Sequence, residues 1–314
     1  MRALVTGGTG FIGRHVVREL MKYNEITSIV SIARKKNDPE THVYFRDPAT
    51  KRYVMVEDAV DITDQRQVAE TLYFYKPDFI FHLAANAVVK DSIDKPCEVV
   101  RANIMGTQHL LAYAKPGTRF CFASSATVYG SCLHTPGTEN GPTNPSSIYG
   151  ATKLAGEALV LAYEKLGHIT PLIFRLVANV GPGATHGVVK AIIEKLKSDN
   201  PVLELLGDEP GSVKPYTYVG DTARFMVEAT LGPPHLRGIV NVSAIGSISV
   251  SIIADLVMHA IGIEKPIKWL GDDAVWKGDD KHVQVTLDKA QSLGFTPECG
   301  LSSTAIVRAA KELA

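Results

Sequence analysis

Three glycines spaced by three, Gly7, Gly10 and Gly13, stand behind a short apolar run at residues 2–5 and in front of a helical repeat. In that repeat Ile12, Val16 and Leu20 recur every fourth residue, with Val17 and Met21 beside them. Strand, glycine turn and amphipathic helix in this order restrict the fold more than any other feature of the chain. Gly7 permits the tight turn, Gly10 lets the backbone approach a pyrophosphate, and Gly13 lets helix and strand close on each other. The helix start offers free N–H groups and partial positive charge to phosphate oxygens.

The alternation continues down the chain. Strands are expected at 28–32, 53–60, 79–83, 119–123 and 172–176, and helices at 64–74 (capped by Asp64), across 100–114 and at 148–166. In the 100–114 helix, Val100, Ile104, Thr107, Leu111 and Ala114 step by four and three, so that face is expected to pack inward. Residues 34–51 are polar and weakly periodic, and read as an insertion or a hairpin; no function attaches to the 36–52 segment. The pattern implies an α/β fold: a Rossmann-type, doubly wound parallel sheet with helices on both faces. After residue 176 the rhythm changes at Gly181-Pro182-Gly183. Helices are then expected at 187–196, 252–260 and 304–313, with short strands at 203–206 and 239–242. Two domains follow: 1–176, with return segments near 216–245, and a smaller mixed α/β domain, 177–314.

Composition excludes several classes. The 314 residues are 45% hydrophobic and 21% charged, enough to bury a core. Lys+Arg and Asp+Glu both number 33, so no basic excess exists to hold a nucleic acid. Cys97, Cys121, Cys132 and Cys299 form no metal-binding spacing and are expected reduced, in the cytoplasm. No metal site, membrane span or signal peptide is expected. His82, inside FIFHLAA, reads as a packed core histidine rather than an acid/base.

Thr6-Gly7-Gly8-Thr9-Gly10-Phe11-Ile12-Gly13 resembles the signature of the extended short-chain dehydrogenase/reductases. His82-Leu83-Ala84-Ala85 is similar to that family's strand end beside the cofactor, and Asn103 with Gly106-Thr107 to its N-x-x-G-T helix motif. Ser124-Ser125-Ala126-Thr127-Val128-Tyr129-Gly130 resembles the active-site strand of UDP-galactose 4-epimerases, and Tyr149 with Lys153 the Y-x-x-x-K pair. Arg175 to Asn179, followed by Gly181-Pro182-Gly183, resembles the entry into the sugar-nucleotide domain. The resemblance implies an NAD-dependent epimerase/dehydratase, nearest the nucleotide-sugar epimerases, acting at C4 of a UDP-hexose through a transient 4-keto sugar. An NADPH-dependent 4-keto nucleotide-sugar reductase and a dehydratase are the alternatives. The cofactor is expected on Gly7, Gly10, Phe11, Ile12, Gly13, Asp61, Ile62, Leu83, Ala84, Ala85, Asn103, Tyr149 and Lys153. The family also implies a homodimer through the helices near 98–114 and 148–166.

Tyr149 and Lys153 are four apart and share one helix face. A free tyrosine, with a pKa of about 10, is a poor base at neutral pH. A nearby ammonium, together with a positively charged nicotinamide, is expected to lower it, letting Tyr149 take a proton from a sugar hydroxyl as hydride leaves the same carbon. Ser125 is the expected relay. Dehydratases of the family carry an acid beside the active-site hydroxyl; here Ala126 and Thr127 stand there, which favours epimerisation. For the nucleoside-diphosphate sugar, Asn179, Val188 (in His186-Gly187-Val188-Val189) and Lys214 match substrate-binding positions. Lys214 stands where an arginine is usual. Lys277-Gly278-Asp279 resembles a late G-D motif, with Trp276 where a second arginine is common and Lys281 and His282 as weak substitutes.

The second strand ends Ala33-Arg34-Lys35-Lys36, with no acid to accept from a ribose 2′-hydroxyl. Arg34 would suit the 2′-phosphate of NADP. The family points to NAD, with adenosine gripped elsewhere, for example at Asp61 and Ile62. Both cofactors stay open.

Overall fold

The computed structural model describes residues 1–34, 46–47, 52–58, 60–131, 135–233, 235–271 and 280–314. The chain opens with strand β1 (Arg2–Thr6) and helix α1 (Phe11–Leu20). Val16 and Leu20 on α1 are fully buried, as their four-residue spacing requires. There follow β2 (Ser28–Ala33), a short β3 (Arg46–Asp47), β4 (Arg52–Asp58) and α2 (Gln65–Tyr75). β3 pairs antiparallel with β4, so the described parts of the polar segment form a hairpin. Asp64 caps α2 by accepting from the amides of Arg66 and Gln67, at 2.9 and 3.1 Å.

Next come β5 (Phe79–His82), α3 (Val89–Asp94), α4 (Pro96–Val100), a π-helical turn (Arg101–Met105) and α5 (Gly106–Tyr113). β6 (Thr118–Ser125) leads through a 3-10 turn (Ala126–Val128) towards α6 (Ile148–Lys165) and β7 (Ile169–Leu176). The remainder comprises β8 (Ala178–Val180), α7 (Val188–Lys197), β9 (Leu203–Leu205), β10 (Val213–Tyr218), α8 (Val219–Leu231) and β11 (Gly238–Val242). It ends with β12 (Ser247–Ser249), α9 (Val250–Ile261), β13 (Ile267–Trp269), α10 (Asp288–Ser292) and α11 (Ser302–Leu313).

Among the described residues, the main sheet has eight strands in the order β11-β7-β6-β5-β1-β2-β4-β3. β1 pairs parallel with both β2 and β5, β2 with β4, and β5 with β6. This is the mainly parallel, Rossmann-type sheet expected from the alternation.

The inward face expected for the 100–114 helix needs correction. Val100 is 40% exposed, whereas Val99, Asn103, Thr107, Leu110, Leu111 and Ala114 are buried. The π turn inserts one extra residue into the helical repeat and rotates what precedes it, so a single α-helical phase does not run through the segment.

The chain divides into two compact units. One comprises 1–125, 148–175 and 223–240; the other comprises 126–147, 176–222 and 241–314. In the first, Leu4, Val30, Ile80, Phe120 and Phe122 of the sheet pack against Val68, Leu72, Leu110, Leu111 and Val160 of the helices. In the second, Ile192, Ile193 and Leu196 of α7 pack with Ile253 and Val257 of α9 and Ile306 of α11, over Leu203, Leu205 and Tyr216. Fully burying such a side chain contributes about 1.5–3 kcal/mol.

Candidate active site

β1 delivers the chain to Gly7, whose φ of +68° lies in the left-handed region that favours glycine. A Cβ there would also stand 2.9 Å from the amide nitrogen of Ala84. The Gly10 amide donates to the Gly7 carbonyl at 2.9 Å and closes the turn. Gly13 packs back on that turn so tightly that a Cβ would fall 2.1 Å from the Gly7 oxygen. Gly10 is exposed, caps α1 without a side chain, and hands on to half-buried Phe11 and Ile12. The first amides of α1 have no intrahelical acceptor, and no acid stands in its first turn. A cradle free of side chains at a helix start fits the pyrophosphate of a dinucleotide.

A buried polar network braces this cradle. Thr6 Oγ1 accepts from the amides of Leu83 and Ala84, at 3.2 and 3.0 Å, and lies 2.8 Å from His82 Nδ1. His82 Nε2 lies 2.9 Å from Thr107 Oγ1, which donates its proton to the Asn103 carbonyl at 2.6 Å. Thr107 has no second proton, so His82 Nε2–H donates to it, and Nδ1 accepts from Thr6. Asn103 Oδ1 accepts from the Asn86 amide at 2.8 Å, while its Nδ2 donates to the Asn86 carbonyl and to Thr152 Oγ1 at 3.1 and 2.9 Å. Thr152 Oγ1 in turn donates to the Tyr149 carbonyl at 2.7 Å. Asn103 thereby links the segment after Ala85 to the helix that carries Tyr149 and Lys153.

Ser125 ends β6, and Tyr149 and Lys153 lie on successive turns of α6. Tyr149 is hydrogen-bonded to Ser125. Lys153 Nζ donates to the Ala123 carbonyl at 2.8 Å, and lies 5.1 Å from the Phe122 ring centroid and 6.0 Å from that of Tyr149. Both side chains are more than nine-tenths buried. Burial pushes the phenol up to about 12, against the pull of Ser125. Burial also pulls the ammonium down to about 8, against Glu157. Desolvation penalises both charged forms and outweighs the opposing pulls of Ser125 on the phenol and Glu157 on the ammonium.

Sequence reasoning passed over Glu157 here and gave Arg175 no role beyond its place in a motif. Glu157 accepts from Ser124 Oγ at 2.5 Å and pairs with Arg175, Nε to Oε1 at 2.9 Å and NH2 to Oε2 at 2.7 Å. The spacing 149, 153, 157 was the available signal for Glu157. Nothing local links it to Arg175, which arrives on another strand.

Arg34 is exposed just beyond the end of β2. Asp61 Oδ1 accepts from the Thr63 amide at 2.8 Å, and Ile62 is buried against Gly106, where a Cβ would meet it at 2.5 Å. In the second unit, Asn179 on β8 sits opposite Thr217 of β10. Its Nδ2 donates to the Val177 carbonyl at 3.0 Å, and its Oδ1 accepts from Thr222 at 2.6 Å. Val188 begins α7, and half-buried Lys214 sits on β10 opposite Ile248. Lys281 is exposed, and His282 bridges to Val213 beside Lys214. Lys35, Lys36, Cys132 and the segment from Trp276 through Lys277, Gly278 and Asp279 lie outside the described residues. Among the described residues Cys97, Cys121 and Cys299 are free, no group of side chains could hold a metal, and no helix is long and apolar enough to cross a membrane.

Known proteins share this fold. The model of the NAD-dependent epimerase/dehydratase family matches residues 3–242. A UDP-glucose 4-epimerase of Mycolicibacterium smegmatis is 31% identical over 242 residues, 73% of each chain. The crystal structure of a UDP-galactose 4-epimerase superposes with a TM-score of 0.82 at 29% identity, covering 100% of this chain and 98% of that one. A dTDP-glucose 4,6-dehydratase of Streptomyces venezuelae, with NAD bound, superposes with a TM-score of 0.85 at 25% identity over 99% and 96% of the two chains. Glycine cradle, parallel sheet and the Ser125–Tyr149–Lys153 constellation thus occur on a chain that belongs to the NAD-dependent epimerase/dehydratase family of nucleotide-sugar enzymes.

Proposed function

We propose that this enzyme epimerises a nucleoside-diphosphate sugar, most simply a UDP-hexose, at C4. The observation that carries the reading is the buried Tyr149, hydrogen-bonded to Ser125 with Lys153 one turn away. Ala126 and Thr127 follow Ser125, so the acid that would favour dehydration is missing at that point. Bound NAD or NADP supplies the hydride acceptor and donor that makes the 4-keto sugar and reduces it again. Tyr149 Oη takes the proton of the sugar hydroxyl and returns it, and Ser125 relays it. Lys153 favours the phenolate and anchors the ribose. Asn179, Val188 and Lys214 hold the diphosphate and base. Lys214 grips as a point charge rather than a fork.

A second reading is an NADPH-dependent reductase of a 4-keto nucleotide sugar. Arg34 favours it, because β2 ends without an acid and a guanidinium there suits a 2′-phosphate. We further propose that two copies associate in the cytoplasm through the helices that carry exposed Val100, Met105, Tyr113 and Ile148.

Proton NMR of UDP-galactose and UDP-N-acetylgalactosamine tests this, with substoichiometric NAD or NADP and no reductant. Appearance of the gluco epimer is expected. Tyr149→Phe should retain the dinucleotide and lose about 10²–10⁴-fold in turnover. Absence of conversion with either cofactor, followed by NADPH consumption on 4-keto substrates, would favour the reductase.

A further inference from the structure

The helix that carries Tyr149 and Lys153 has a third polar residue in the same stripe. Positions 149, 153 and 157 follow one another by four along α6, and each is tied to the end of β6. Tyr149 bonds Ser125, Lys153 donates to the Ala123 carbonyl, and Ser124 donates to Glu157. Three consecutive strand residues therefore meet three successive helical turns. Gly156 allows this closeness, since a Cβ there would stand 2.5 Å from the Phe122 ring. Arg175 of β7 holds both oxygens of Glu157, and the side chains of this pair are only 3% and 2% exposed.

A buried ion pair is weak evidence for stability, because apolar residues of equal volume often serve as well. Its place calls for another explanation. We propose that Glu157 is a positioning residue for the Tyr149–Lys153 pair: fixed by Ser124 and Arg175, it supplies the counter-charge for the buried Lys153 ammonium and registers α6 on β6. This rests on the acid–base reading of Tyr149 and Lys153 above.

The groups facing Lys153 are Tyr149 and Glu157 on α6, the Phe122 ring and the Ala123 carbonyl on β6, and His82 on β5. Among them Glu157 is the negative one. Burial pulls the Lys153 ammonium down to about 8, and Glu157 acts in the opposite direction. Removing the carboxylate lets Lys153 lose its proton at lower pH, and an uncharged Lys153 no longer favours the phenolate.

The test is NMR titration of isotope-labelled lysine in the full chain, with the Lys153 resonance identified by its loss in Lys153→Arg. In Glu157→Gln the Lys153 midpoint is expected to fall by about one pH unit. That variant takes away the carboxylate that Arg175 holds with two nitrogens, so Glu157→Gln with Arg175→Gln provides a neutral pair that is expected to fold. The midpoint should fall in the double variant too. An unchanged midpoint in the folded double variant would overturn the proposal. The titration needs neither substrate nor turnover. A shifted midpoint in an enzyme that leaves UDP-galactose untouched would sink the epimerase reading and spare this one; an unchanged midpoint in an active epimerase would do the reverse.

Discussion

His82 shows how one buried side chain can serve the site without chemistry of its own. Its Nε2–H form is dictated by Thr107, which has already given its proton to the Asn103 carbonyl. Burial, helped by the Lys153 charge, pushes the imidazole down to about 3. The unfolded chain takes up this proton below about 6.5, the folded chain only near the lower value. Folding therefore loses stability as pH falls between those limits, by about 1.4 kcal/mol per unit from this residue, and keeps it all above the upper one. Urea unfolding of wild type and His82→Gln across that window should differ in slope by this amount. Equal slopes would mean that the imidazole charges in the folded state. Tyr149 obeys the same rule with the opposite sign, because desolvation penalises an anion as it does a cation. Neither shift can be read from residue spacing, since both depend on what surrounds the ring.

At the scale of elements, the cradle and the π turn depend on different kinds of information. Gly7, Gly10 and Gly13 were legible as a turn because the positive φ of Gly7 and the contacts of Gly10 and Gly13 with the Gly7 carbonyl are local, whereas the approach of Ala84 to Gly7 comes from a distant strand end. Gly13→Ala is expected to cost about 1–3 kcal/mol by overpacking. The same change should weaken dinucleotide binding, measured by denaturant unfolding and by calorimetric titration. Intact stability and affinity would show that the helix can shift to admit the methyl group. Val100 was misjudged because periodicity assumes an unbroken α-helix. The π turn that breaks it coincides with Asn103, whose partners Asn86 and Thr152 come from distant segments. Helix α8 and strand β10 also escaped the reading, because 213–231 shows no clear alternation before Val219.

At the scale of the molecule, exposed Val100, Met105, Tyr113 and Ile148 place apolar area on α4, the π turn, α5 and α6 of the first unit. Sedimentation is expected to find a dimer, and Val100→Lys with Met105→Lys to return monomers. A wild-type monomer at all concentrations would reject the association. Apart from α3 and the π turn, the order of strands and helices up to residue 176 was written in the sequence, because a strand or helix declares itself through the periodicity of neighbouring residues. So were the glycine cradle and the Tyr149–Lys153 spacing, which need only the geometry of one turn or one helix. The tertiary structure alone decided the phase of the 100–114 helix, the upward shift of Tyr149, the tautomer of His82 and the meeting of Glu157 with Arg175. Each of these depends on burial or on a partner far along the chain, and neither is encoded in local spacing.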